Sequence, residues 1–129
     1  MSAHQGLSDL ELRWVRRGPP ALARIAAVGE DGMPHVVPGQ WAWDGARVVF
    51  VLGGRDVPAT VRAANVRRTG KAAMTVDGVD RSGGWAPWAL LVRGRAGVDD
   101  DAGAIVLHPD QVTSWGLQHS ITEGEQRDR

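Results

Sequence analysis

The feature that most constrains this chain is its punctuation. Turn-forming clusters recur at short intervals: Glu30-Asp31-Gly32, Asp44-Gly45, Gly53-Gly54, Thr69-Gly70, the acidic segment from Asp99 to Gly103, and His108-Pro109-Asp110. Between them stand brief runs rich in Val, Ile, Leu, Ala and Trp, at 22–28, 35–43, 47–52, 71–76, 88–98 and 104–107. Asp-Gly between two such runs is a hairpin signal, because both central residues of a tight hairpin turn need positive φ. Most of these intervals are too short for the crossover that parallel strands require. The pattern therefore predicts six antiparallel strands in a closed or half-open barrel. At 129 residues the chain reads as one all-β-dominated domain, with its core within about 8–117.

Two short helices interrupt the strands. Ser8 and Glu11 have the spacing of a capping box, Leu10, Trp14 and Val15 supply an apolar stripe, and Gly18-Pro19-Pro20 ends the helix. A second helix is expected over 58–68, with Asp56 as N-cap, Pro58 in the first turn and Thr69-Gly70 as the stop. Pro38-Gly39 falls inside the second expected strand, where it signals a bulge or an edge approached by another group. Residues 77–87 read as a Gly- and Ser-containing loop. Beyond Leu117 the sequence is polar without period, so 118–129 reads as a flexible tail.

Composition removes most catalytic chemistry. The chain has no Cys and no Tyr, and its net charge is zero, which argues against bulk attraction to nucleic acid or membrane. His4, His35, His108 and His119 are scattered without metal-ligand spacing, and no Ser stands in a nucleophile elbow. No catalytic residue and no metal site are assigned; an enzyme built on this chain needs a cofactor to carry the chemistry. The absence of an 18-residue apolar run and of an N-terminal apolar core predicts a cytoplasmic protein. Fourteen Arg against the single Lys71 suggest a GC-rich bacterial genome.

The element running from the third strand through Gly53-Gly54 and Arg55 into the second helix carries the strongest functional signal. Paired glycines let a ligand approach the backbone, and a helix start offers free N–H groups and partial positive charge. Arg55 and Arg62 fit the bidentate recognition of a phosphate, and Thr60 adds a hydroxyl. The competing reading makes these arginines solvated helix charge. Pro38, Gly39 and Gln40 form a second candidate, presenting backbone groups to a planar ring or simply turning a barrel corner. His35 reads as a half-exposed strand residue rather than an acid–base group. Trp41, Trp43, Trp85, Trp88 and Trp115 read as core or interface residues, with Trp85 or Trp88 placed to cover a ring.

Taken in order, "LARIAAVGEDGMPHVVP", "GGRDVPATVRAANVRRTGKAAMTVD", "PWALLVRGRAGV" and "IVLHPDQVTSWGL" resemble the pyridoxamine 5'-phosphate oxidase-like family, and within it the actinobacterial branch of deazaflavin (coenzyme F-420)-dependent enzymes. The resemblance covers about residues 8–117. It implies a six-stranded split β-barrel with two short helices, paired as a homodimer with cofactor sites at the subunit interface. It further implies that Val37, Pro38, Gly39 and Gln40 flank a flavin-like ring, and that Gly53, Gly54, Arg55, Thr60 and Arg62 hold the phosphate. Arg62 stands where the family carries a basic residue, commonly Lys; Val61 stands where close relatives often carry another. The implied activity is hydride transfer from coenzyme F-420 to a small unsaturated organic molecule. The alternatives are an FMN-dependent oxidoreductase, a non-catalytic flavin-binding protein, and a barrel that binds a product without cofactor.

Overall fold

The computed structural model describes residues 3–54, 57–81 and 83–120. Helix α1 (Asp9–Arg17) starts at the expected capping box: Ser8 accepts from the Glu11 backbone while the Glu11 carboxylate accepts from the Ser8 backbone. Gly18 closes it in the left-handed conformation. Eight strands follow among the described residues: β1 (Ala23–Val28), β2 (Pro34–Gly39), β3 (Trp41–Asp44), β4 (Val49–Leu52), β5 (Lys71–Asp80), β6 (Ala86–Asp99), β7 (Ala104–Leu107) and β8 (Gln111–Trp115). Helix α2 (Val61–Thr69) lies between β4 and β5.

All pairings are antiparallel, in the order β2-β1-β5-β6-β7-β4-β3, with β8 also on β6. The predicted all-β class holds, the strand count is eight rather than six, and of the closed and half-open alternatives the sheet takes the open one. The expected strand over 35–43 is two strands, because the chain breaks at Gln40 and its halves join opposite ends of the sheet. The segment after Pro109 is a strand as well. Strand β6 is long enough to change neighbours along one edge: Ala96–Asp99 pair with β7, whereas Ala89–Arg93 pair with β8. The sheet curls until its two ends meet at Gln40, yet β2 and β3 do not pair, so the barrel stays open.

Other boundaries move for local reasons. The loop expected over 77–87 shrinks, because Asp77–Asp80 continue the hairpin ladder opposite Ala86–Ala89. The second helix starts later than expected: Val57–Ala59 form a 3-10 turn and Thr60 is the N-cap. Asp56, the expected cap, lies outside the described residues, as do Arg55 and all of the tail beyond Ser120. A short helical turn begins at Leu117, where the tail was expected to start.

The core follows from strand alternation. Ala23, Ile25 and Ala27 of β1 face inward with Met74 and Val76 of β5, Leu90 and Val92 of β6, and Phe50 and Leu52 of β4. Helix α2 inserts Ala63 and Val66 into the same interior. Helix α1 plugs one end with Trp14, whose ring stacks on Trp41 at 5.6 Å between centroids and meets Trp88 at 5.4 Å. Trp88 also covers Gly78, where a Cβ would lie 2.8 Å from the indole Cε2. Trp88 is thus a packing residue, while Trp85 at the hairpin tip is 72% exposed beneath the Arg81 guanidinium.

Candidate functional site

The question posed by the Gly-Gly and arginine element is what each guanidinium meets. Arg67 is matched, to Asp100 at 3.0 Å and to the Pro58 carbonyl at 2.9 Å. Arg68 is matched too, to Asn65 Oδ1 at 3.0 Å and to the Val28 carbonyl. These two are structural. Arg62 differs: its one hydrogen bond among the described residues runs from Nη1 to the Pro38 carbonyl at the long distance of 3.5 Å, and its Nε is buried with no partner there. A buried Nε–H without a partner is costly unless something else completes it, although the side chain as a whole is half-exposed.

The surroundings of Arg62 are shaped by absent side chains. A Cβ on Gly39 would sit 2.7 Å from Ile25 Cδ1 and 3.5 Å from Arg62 Nη1. A Cβ on Gly53 would collide with Val57 Cγ2 and lie 3.5 Å from Arg62 Nη2. Gly53 also has φ of +93°, which side-chain-bearing residues rarely adopt. Two glycines from separate strands thus floor a cradle with the guanidinium across it. The Gly53 amide donates to the Gln40 carbonyl at 2.8 Å, tying the corner after β2 to the end of β4. Gly54 is open to solvent, with only Gln40 Oε1 near a Cβ placed there, at 4.0 Å.

Pro38, Gly39, Gln40, Gly53, Gly54 and Arg62 therefore converge, although the sequence separates them into two groups. Val37 shares the face of Gly39 and packs toward the core, so its side chain serves the barrel and only its backbone faces the groove. Thr60 has a different task from the one expected. Its hydroxyl donates to the Val57 carbonyl at 2.6 Å and accepts from Ala63 N at 3.3 Å, which leaves no proton for a phosphate. Sequence reasoning passed over Asn65, a helix residue only 4% exposed, whose Nδ2 lacks a partner. The available signal was an Asn at the inward position of an otherwise Ala- and Val-faced helix. Among the described residues no three His, Asp or Glu side chains group to hold a metal ion, and no helix is long and apolar enough to cross a membrane.

Relatives share this architecture. A solved FAD binding protein from Mycobacterium smegmatis superimposes with a TM-score of 0.61 at 24% identity, covering 84% of this chain and 93% of that one. A conserved hypothetical protein from Mycobacterium tuberculosis gives 0.65 at 14% identity over 88% and 87% of the two chains. A FAD-binding protein from Mesorhizobium loti gives 0.56 at 19% identity over 88% and 97%. These likenesses establish the fold. In sequence, the chain is 27% identical over 111 residues to the 5a,11a-dehydrotetracycline/5a,11a-dehydrooxytetracycline reductase of Streptomyces rimosus, an alignment covering 78% of each protein. No protein-family model matches the chain.

The cradle fits a phosphate-bearing cofactor on its own geometry. A phosphate oxygen can complete the Arg62 guanidinium, while the side chains absent at Gly39 and Gly53 make room for Ile25, Val57 and that guanidinium. Arginine's planar fork suits two phosphate oxygens at once, where a lysine would act as a point charge.

Proposed function

We propose that this protein is an oxidoreductase that binds a flavin-type cofactor, coenzyme F-420 in preference to FMN, and reduces a carbon–carbon double bond in a small unsaturated organic molecule. The observation that carries the reading is the Arg62 guanidinium, buried at Nε and unpartnered there, lying across the glycine cradle. In this reading Arg62, Gly53 and Gly54 receive the phosphate, with Arg55 adjoining them in the sequence. Pro38 and Gln40, both exposed, border the ring. The cofactor supplies the hydride; the protein binds, orients and excludes water, which requires no acid–base side chain. The Streptomyces rimosus relative, a reductase of dehydrotetracyclines by name, supports an unsaturated organic acceptor. FMN is the second reading, favoured by the fold's likeness to FAD-binding proteins.

A cytoplasmic homodimer belongs to the same proposal. On the outer face of the sheet Ala26 pairs with Ala73, Thr75 with Leu91, and Leu91 with Thr113, a strip of small and apolar residues flanked by Arg24 and Arg93. Val28 and Val36 beside it are 47% and 59% exposed. A second copy on this face would bury apolar area that a small domain otherwise leaves in water.

The test is fluorescence titration of the protein and of Arg62→Ala with coenzyme F-420 and, separately, with FMN. Hydrogen bonds to charged groups contribute about 1.5–3 kcal/mol, so the variant should lose affinity roughly 10- to 150-fold. Affinity unchanged within twofold would remove Arg62 from the phosphate site, and failure of the unaltered protein to bind either cofactor would overturn the reading.

A further inference from the structure

A second cleft opens beside the neighbouring face of α2. Val61, Asn65 and Arg68 repeat at helical spacing and line it, facing Met33 and His35 across an open volume of about 800 Å³. Two buried polar atoms without partners belong to residues lining this cleft: Asn65 Nδ2 and His35 Nδ1. The orientation of the Asn65 amide is fixed, because its Oδ1 accepts from Arg68 Nη1 at 3.0 Å and a flipped amide would set donor against donor. Nδ2 is therefore a true spare donor on a side chain that is 4% exposed.

The charges select what the donor wants. Arg68 is already engaged by Asn65 and by the Val28 carbonyl. Glu30 and Asp31 stand at the mouth, the latter held in its turn by the Met33 amide at 3.0 Å. A free anion would meet these two carboxylates before reaching the donors. Met33 and Val61, 64% and 63% exposed, offer apolar walls to the body of a ligand.

We infer that this cleft is a subsite for a neutral carbonyl group on an apolar-bodied ligand, with Asn65 Nδ2 and, in the Nδ1–H tautomer, His35 as the hydrogen-bond donors. Asn65 lies one helical turn from Arg62, about 4.5 Å along the axis, so the subsite adjoins the cradle without sharing its guanidinium. Identifying the ligand as the molecule to be reduced rests on the function proposed above; the carbonyl subsite itself does not. The class of substrate is then a conjugated enone held by its carbonyl oxygen.

The experiment is a titration of the ¹⁵N-labelled full chain, without cofactor, followed by NMR. The probes are cyclohex-2-en-1-one, cyclohexene and cyclohexanecarboxylate. The enone should shift the Asn65 side-chain NH₂ and the His35 ring nitrogens, and bind at least fivefold more tightly than either control. Asn65→Asp, which keeps the acceptor for Arg68 and removes the donor, and His35→Phe should each weaken enone binding fivefold or more. Arg62→Ala should leave it within twofold, so that a failure of the phosphate site and a failure of this subsite are read separately. No enone binding up to its solubility limit, tighter binding of the carboxylate, or unchanged enone affinity in both His35→Phe and Asn65→Asp would each overturn the inference.

Discussion

Replacing Glu11 by Ala should strongly destabilise this domain, although Glu11 touches no part of the proposed site. Its carboxylate is 1% exposed and accepts from three donors: Ser8 N at 2.8 Å, His4 Nε2 at 2.7 Å and Ser114 Oγ at 2.5 Å. These join three stretches of chain, since His4 also pairs with Val112 of β8 through its backbone. Loss of the capping-box partner costs about 1 kcal/mol. The other two charge-assisted bonds are each worth about 1.5 kcal/mol at the lower end of their range. The sum, about 4 kcal/mol, is a large share of the roughly 5–15 kcal/mol typical of a whole domain. Urea denaturation should show the midpoint falling with little change in slope. Glu11→Gln should fall between the parent and Glu11→Ala, because an amide keeps one acceptor for the cap and offers a donor to partners that also donate. Burial pushes the Glu11 carboxyl up, but the Ser114, Ser8 and His4 hydrogen bonds outweigh it and leave the pKa below the usual 4.5. A depressed folded-state pKa means that the stabilisation is complete above about pH 5 and fades as the pH falls through the folded value. The gap between parent and Glu11→Gln should therefore close on acidification. A Glu11→Ala cost below about 1.5 kcal/mol, or a gap independent of pH, would refute this account.

Two further outcomes follow from the same geometry. Thr60→Val should cost about 1 kcal/mol through the lost helix cap while leaving cofactor affinity within twofold, since the hydroxyl proton is already given to the Val57 carbonyl; thermal unfolding and the F-420 and FMN titrations check the two halves separately. Asp110 accepts two side-chain bonds from Arg95, each at 2.9 Å, and a third from its backbone N, and these hold its pKa at about 2 against an ordinary 3.8. Its contribution to stability should be complete above about pH 4 and be lost as pH falls through 2, so Asp110→Asn and parent should converge in acid unfolding.

The elements with local signals were legible residue by residue. The α1 capping box, its Gly18 stop and the strands around Ile25, Phe50 and Ile105 need only sequence-local chemistry: a hydroxyl three residues before a carboxylate, and β-branched runs between turn residues. Strand β8 was not legible, because five residues containing Thr, Ser and Gln become a strand only when the edge of β6 is free to receive them. The start of α2 was not legible for a related reason, since Asp and Thr are both good caps and only the Ala63 amide, which donates to the Thr60 hydroxyl, shows where the helix begins.

The site divides the same way. The sequence by itself determined that two glycine-containing corners and a set of arginines exist, and that the chain has no thiol. Which arginine keeps an unpartnered nitrogen is a tertiary fact. Arg67 and Arg68 find Asp100 and Asn65 in the folded chain and are neutralised or tied there, whereas Arg62 is carried across the gap between β2 and β4, where Gly39 and Gly53 leave room and no carboxylate among the described residues answers it. Charge in a sequence is only inventory; burial and the direction of each side chain decide which charge is left to bind something else.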